Sequence, residues 1–135
     1  MKVSVFRKSH FNAAHRLNVP EWSEAKNQEV FGKCNKPNYH GHNYVMEVKL
    51  TGEIDPITGY LIDLGILKQI INEEVVDRYD HRNLNLDVPE FKNVNPTVEN
   101  IAVEIFNRLR ARINEHLTLG LRLYETERNF VEIEQ

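Results

Sequence analysis

Apolar and polar positions alternate at the start of the chain. Val3, Val5, Phe11, Ala13, His15 and Leu17 share one parity, which Arg7 and Ser9 interrupt. Residues two apart face the same side of a strand, so residues 2 to 17 predict a strand with a bulge or with two sides in use. The alternation returns without interruption at His42, Tyr44, Met46, Val48 and Leu50, with His40 on the same parity. A half-buried strand is expected there, followed by a turn at Gly52 and Asp55-Pro56…Gly59. Between these strands, Ser23 can cap a short helix that ends at Val30-Phe31-Gly32. The period then changes. Leu64, Leu67, Ile71, Val75 and Tyr79 recur at helical spacing behind a capping Asp63, and Ile101, Ile105, Leu109 and Ile113 do the same behind Thr97. Residues 86 to 96 read as a loop around Pro89 and Pro96, and Arg108, Arg110 and Arg112 as a solvated helix face. Leu119, Leu121, Leu123 and Glu125 form a third alternating run, and Phe130 to Glu134 a return strand. The element order is strand, strand, helix, helix, strand, strand, an α+β arrangement.

With 135 residues, 41% hydrophobic and 27% charged, the chain is expected to be a single domain spanning residues 1–135. A net charge of −3 offers no basic excess for nucleic acid. No apolar run reaches the ~20 residues of a membrane span, and Lys2, Arg7 and Lys8 break up any apolar leader. The single cysteine, Cys34, cannot form an internal disulfide, so a cytoplasmic protein with a free thiol is expected.

The candidate chemistry gathers in the stretch from Cys34 to Tyr44. His40 and His42 face one side of a strand, and two neutral imidazoles on one face are half of a zinc site, with Gly41 allowing close approach. His15 points inward on its own strand, either as a core histidine held by a backbone carbonyl or as a further ligand. Asp80 beside His81 can orient an imidazole, or it can simply end a helix. Glu125 is aligned with apolar residues, and a buried carboxylate requires a cationic or multi-donor partner.

Read together, these pieces resemble the 6-pyruvoyl-tetrahydropterin synthase and 6-carboxytetrahydropterin synthase family over nearly the whole chain. The matching stretches are Ala13-Ala14-His15-Arg16-Leu17, Phe31-Gly32-Lys33-Cys34-Asn35, His40-Gly41-His42-Asn43-Tyr44, Gly52-Glu53-Ile54-Asp55-Pro56, Asp80-His81, Asn95-Pro96-Thr97-Val98-Glu99-Asn100 and Tyr124-Glu125-Thr126. The resemblance implies the tunnelling fold, a four-stranded antiparallel sheet with two helices inserted between strand pairs. It also implies a homohexamer built as a dimer of trimers, with sites at subunit junctions. By position it implies a zinc ion on His15, His40 and His42, catalysis by Cys34, Asp80 and His81, and a pterin held by Glu125 with Thr97 and Glu99 nearby. The implied substrate is 7,8-dihydroneopterin triphosphate. The helix start at Asn95-Pro96-Thr97 is similar to bacterial members, which makes 6-carboxytetrahydropterin, a deazapurine (queuosine) precursor, the expected product. The alternative is 6-pyruvoyl-tetrahydropterin, to which the Cys34-to-His40 spacing is similar. A non-catalytic zinc- and pterin-binding protein is the third reading. Arg16, Lys33 and Lys36 are basic candidates for phosphate contacts or solvated surface groups.

Overall fold

The computed structural model describes residues 1–135. Its frame is a pair of long strands, β1 (Lys2–His15) and β2 (His40–Glu53), each of 14 residues. They pair antiparallel without a break, from Lys2↔Glu53 to His15↔His40. No bulge forms at Arg7 and Ser9. Both stay on the inner parity but half-buried, as Val3 and Val5 do, and the face is sealed only from Phe11 onward. The polar interruption therefore marks where the helical cover thins. The ladder itself continues through it.

Three shorter strands complete the sheet. β4 (Thr118–Tyr124) pairs with β2 from Thr51↔Thr118 to Val45↔Tyr124, and β5 (Phe130–Glu134) returns along β4. The expected four-stranded antiparallel sheet is corrected by β3 (Arg82–Asn83), which runs parallel to β1 at Ala13 and Ala14 and makes the order β3-β1-β2-β4-β5. The cause lies one turn earlier. Asn12 N–H donates to Asp80 Oδ1 at 2.8 Å and His81 N–H donates to the Asn12 carbonyl at 2.6 Å, so the segment is fastened to the free edge of β1.

Helix α1 (Glu24–Phe31) starts where Ser23 accepts the Lys26 N–H and stops at Gly32, whose φ of 55° suits glycine. Helix α2 (Leu64–Ile71) is capped by Asp63, then passes through a π turn (Asn72–Val76) and a last α turn (Asp77–Tyr79). Leu67, Ile71, Val75 and Tyr79 are spaced by four, which drifts around an ideal helix of 3.6 residues per turn. The wider π turn takes up that drift and keeps Val75 and Tyr79 fully buried. Leu64 differs from expectation: it lies 47% exposed in the first turn, and Ile70 joins the core instead.

Residues 86 to 96 are more ordered than a loop. Asn83 caps a single-turn helix, α3 (Leu84–Asp87), and a 3₁₀ turn (Pro89–Phe91) follows it. Helix α4 (Val98–Arg110) is capped by Thr97 and buries Ile101, Ala102, Ile105, Phe106 and Leu109. Its arginines are engaged rather than solvated. Arg108 bridges Glu74, Glu90 and Glu104, Arg112 meets Glu73 and Glu74, and Arg110 donates to the carbonyls of Ile113, Asn114 and Leu117. These bonds tie α4 to α2 and to the turn leading into β4.

The inner sheet residues Phe11, Ala13, Tyr44, Met46, Val48, Leu50, Leu119, Leu121 and Leu123 meet the helices in one apolar cluster. Lys2, Ser4, Phe6, Lys8, His10 and Asn12 leave the other face of β1 exposed. Ile105 has no exposed surface at the centre of α4. Replacing it with alanine should cost about 2–5 kcal/mol and lower the urea midpoint accordingly. A loss below about 1 kcal/mol would show that α4 does not seat against the sheet as described.

Candidate functional site

The uninterrupted β1–β2 register builds a histidine cluster. His15, the last residue of β1, lies opposite His40, the first of β2, and His42 lies opposite Ala13 on the same inner parity. One nitrogen from each ring falls within 4.8 Å of the other two. Three nitrogens around a tetrahedral zinc ion stand ~3.3 Å apart, given bonds of ~2.0–2.1 Å. His15 Nε2 and His40 Nε2 are 3.0 Å apart, an arrangement that either one shared proton or one shared cation satisfies. Gly41 between them faces the outer side, where a Cβ would meet only the Ala13 carbonyl at an ordinary 3.5 Å, so it has no part in close approach to the cluster.

The backbone-carbonyl reading of His15 is the one observed, and it leaves room for the other. Its Nδ1 donates to the Pro96 carbonyl at 2.7 Å, which leaves Nε2 as the lone-pair nitrogen aimed into the cluster. Burial is the main reason its pKa falls to about 4, with the charges of His40 and His42 adding and the Pro96 bond opposing. His40 is lowered too, chiefly by burial and then by His42. These rings are therefore neutral at pH 7, the form that binds metals. Buried His42 Nε2 has no hydrogen-bond partner. A cation at the centre would supply what that nitrogen lacks, so the residues fit a metal ion.

Glu125 follows β4 and completes one wall. Its Oε1 is 3.9 Å from His42 Nε2 and its Oε2 is 4.0 Å from His15 Nε2, with the side chain 21% exposed. It is therefore less buried than expected, and it faces the rings without a direct hydrogen bond. From this position it can anchor a ligand rich in N–H donors. Its charge also reaches Cys34 and Tyr44. Each is raised first by burial and then by Glu125, so both stay protonated. With His15 and His40 held neutral, neither of these two rings supplies a positive charge that would favour a thiolate at Cys34.

Cys34 is placed by contacts that the sequence pattern did not reveal. It lies in a 3₁₀ turn (Gly32–Asn35), and its carbonyl accepts the Leu17 N–H at 2.8 Å. Fully buried Asn35 donates to the Leu17 carbonyl at 2.7 Å and to Asn18 Oδ1 at 2.9 Å, while Arg16 Nε donates to the Asn35 carbonyl at 3.0 Å. Asn85 pairs with both backbone groups of Arg16, Asn95 accepts the Asn18 N–H, and Asn27 pairs with both backbone groups of Val19. Asparagine side chains thus act as the strand partner of residues 16–19, just beyond the end of β1, and hold the Cys34 turn against them.

The remaining sequence candidates lie elsewhere. Asp80 Oδ2 is 2.9 Å from His81 Nδ1, and the Asn12 N–H, ahead of the charges of His81 and His10, keeps the Asp80 carboxyl below its usual range. His81 has a positive φ of 60° and its side chain is 83% exposed. The pair occupies the outer edge of β1, whereas the histidine cluster is on the inner face. One chain does not bring them together. Thr97 has its hydroxyl engaged by the Asn100 N–H, and Glu99 is exposed in the first turn of α4. The residue of that segment that touches the cluster is Pro96.

A one-sided α+β sheet with a three-histidine pocket at the junction of its two long strands defines a tunnelling-fold protein equipped to hold a metal ion. Comparison with known proteins narrows the class. Residues 4–135 match the family described as 6-pyruvoyl tetrahydropterin synthase, and the chain belongs to that family. The human 6-pyruvoyl tetrahydrobiopterin synthase is 42% identical over 130 residues, covering 96% of this chain and 90% of the relative. The solved structure of the Caenorhabditis elegans 6-pyruvoyl tetrahydropterin synthase superposes with a TM-score of 0.92 at 42% identity, covering 100% of this chain and 96% of that one. A dihydroneopterin monophosphate aldolase from Pyrococcus furiosus is 35% identical over 135 residues, covering 99% of each chain.

Two outcomes follow from this geometry. Removing the Asn35 amide with Asn35→Ala should cost about 1–3 kcal/mol and speed labelling of Cys34 by a thiol reagent. An unchanged labelling rate would mean that Asn35 does not position the turn. In the metal-free protein, the unfolded chain protonates His15 near 6.5 and the folded chain only near 4. Stability is then lost as pH falls through that window, by about 2 kcal/mol at pH 5 from His15 alone. Equal urea midpoints at pH 7 and pH 5 would place the ring in solvent.

Proposed function

We propose that the chain is a zinc-dependent lyase that acts on 7,8-dihydroneopterin triphosphate, eliminates triphosphate and yields 6-pyruvoyl-tetrahydropterin. The observation that carries this reading is the cluster of His15, His40 and His42 with Glu125 beside it and Cys34 within reach of that carboxylate's charge. The six-residue step from Cys34 to His40 and the names of the human and nematode relatives support the pyruvoyl product over the carboxy product expected from the helix start. The deazapurine route yields with it. We take residues 1–135 as one pterin-synthase domain, supported by the family match across residues 4–135.

Zinc on the three imidazoles, when bound, supplies a Lewis-acid charge that acidifies C–H bonds beside a bound hydroxyl. Cys34 is the group proposed to take that proton, and its raised pKa means that it acts only once a positive charge stands nearby. Glu125 accepts the ring and amino N–H groups of the pterin, with Thr97 and Glu99 at the rim next to Pro96. Asp80 holds His81 by Nδ1, which leaves Nε2 free to pass a proton. Because that pair faces outward, the reading requires His81 from another copy of the chain, in keeping with a homohexamer built from trimers. A thiol that must stay reduced suits the cytoplasm, and no helix is long and apolar enough to cross a membrane.

The similarity to the Pyrococcus aldolase supports a second reading, aldol cleavage of the side chain to a hydroxymethyl-pterin. Such variants tend to carry an acid where this chain has Cys34, which ranks that reading lower. Mass spectrometry of the products formed from dihydroneopterin triphosphate distinguishes the cases. The pyruvoyl product with free triphosphate is expected. A carboxy-pterin with acetaldehyde would move the assignment to the other branch, and a hydroxymethyl-pterin to the aldolase. Cys34→Ala should lower the rate by about 10²–10⁴-fold, and undiminished turnover would remove Cys34 from the chemistry. His40→Ala and His42→Ala should each abolish zinc in elemental analysis while far-UV circular dichroism stays unchanged. Retained zinc would overturn the ligand assignment.

A further inference from the structure

The backbone that holds the histidine cluster also lines a second space. A solvent-open cavity of about 410 Å³ lies against Arg16, Asn18, Asn95, Lys92, Asn93 and Glu21. That volume is within the ~300–1,000 Å³ of small-molecule sites. Three of its wall residues are sequence neighbours of the cluster. Arg16 follows His15, Tyr39 precedes His40, and Asn95 precedes Pro96, whose carbonyl holds His15. The cavity is thus built on the chain segments that flank the cluster, and no cluster residue lines it.

Its chemistry is that of a donor-lined space. Asn18 Oδ1 accepts from Asn35 and Asn95 Oδ1 accepts from the Asn18 N–H, so the amide groups these two residues have left over are their NH₂ ends. Arg16 uses only Nε, on the Asn35 carbonyl, and both of its terminal nitrogens are free of hydrogen bonds and ion pairs. Lys92 is exposed, and its ammonium meets no carboxylate. Glu21 is the one carboxylate on the wall, exposed and paired with neither cation. Fixed N–H donors and two unpaired cations complement a ligand that offers many acceptor oxygens and negative charge, the description of an oligophosphate.

We propose that this cavity is the oligophosphate subsite of the enzyme, where Arg16, Lys92 and the amides of Asn18 and Asn95 bind the triphosphate arm while the pterin lies at Glu125. The inference rests on the substrate class argued above. It selects Arg16 over Lys33 and Lys36, which do not line the cavity.

Calorimetric titration of the full-length, zinc-loaded protein with inorganic tripolyphosphate tests it, with zinc retention checked by elemental analysis. One site per chain is expected. Lys92→Glu should weaken binding about tenfold or more, and Lys68→Glu, on the exposed side of α2 away from the cavity, should leave it unchanged. Arg16→Lys should weaken it as well, but Arg16 also supports the Cys34 turn, so the decision rests on Lys92. Wild-type affinity in Lys92→Glu, an equal loss in Lys68→Glu, or no binding by the wild type would each overturn the subsite. Lys92-dependent binding without turnover of dihydroneopterin triphosphate would keep the subsite and remove the proposed reaction. Turnover with a KM unchanged by Lys92→Glu would do the reverse.

Discussion

The hydrogen bond from His15 Nδ1 to the Pro96 carbonyl joins the sheet and the helix layer at the histidine cluster. On one side is the end of β1, delivered there by 14 paired residues. On the other is the segment that enters α4 through the Thr97 cap, itself held by Asn100 on the Asn95 carbonyl. The bond selects which ring nitrogen keeps its hydrogen and so aims the other at His40 and His42. If the α4 entry moved, the histidine would lose its tautomer along with its position. The stability of the helix layer and the geometry of the cluster are therefore one problem.

Charge at the cluster follows from burial. His15 and His40 are held neutral, Cys34 is held as a thiol, and Glu125 is the one negative group close to all of them. The neutral rings of His15 and His40 and the unpartnered Nε2 of His42 favour a cation, and a carboxylate 3.9–4.0 Å away adds to that preference. The same carboxylate opposes a thiolate at Cys34. Positive charge placed at the cluster would offset that carboxylate and lower the Cys34 pKa.

What could be read from the residues was whatever depends on local periodicity. The parity of His15, His40, His42 and Glu125 placed all four on the inner side of the sheet, and the caps at Ser23, Asp63 and Thr97 lie where the pattern put them. What escaped was set by contacts distant in sequence. β3 exists because Asp80 and His81 meet the backbone of Asn12, and no alternation in a two-residue strand could announce it. The arginines of α4 look like a solvated face until Glu73, Glu74 and Glu90 arrive from other elements. Asparagine in a loop signals a turn in most settings. Here Asn27, Asn35, Asn85 and Asn95 each reach a backbone group in residues 16–19, and nothing in their own neighbourhoods says so.

That asparagine ladder also explains how a half-exposed turn can carry a precisely placed thiol. A 3₁₀ turn of four residues has little cooperativity of its own. Fastened through Asn35, Arg16 and the Leu17 N–H, it shares the rigidity of the strand end that supplies His15. Cys34 and His15 are then positioned by one continuous set of bonds, although 19 residues separate them in the chain. Asp80 and His81 belong to the opposite case. They are fastened just as firmly, but to the backbone of Asn12 at the free edge of β1, three residues before His15. Cys34 and His15 thus share one scaffold at the strand end, while Asp80 and His81 depend on the free edge of β1.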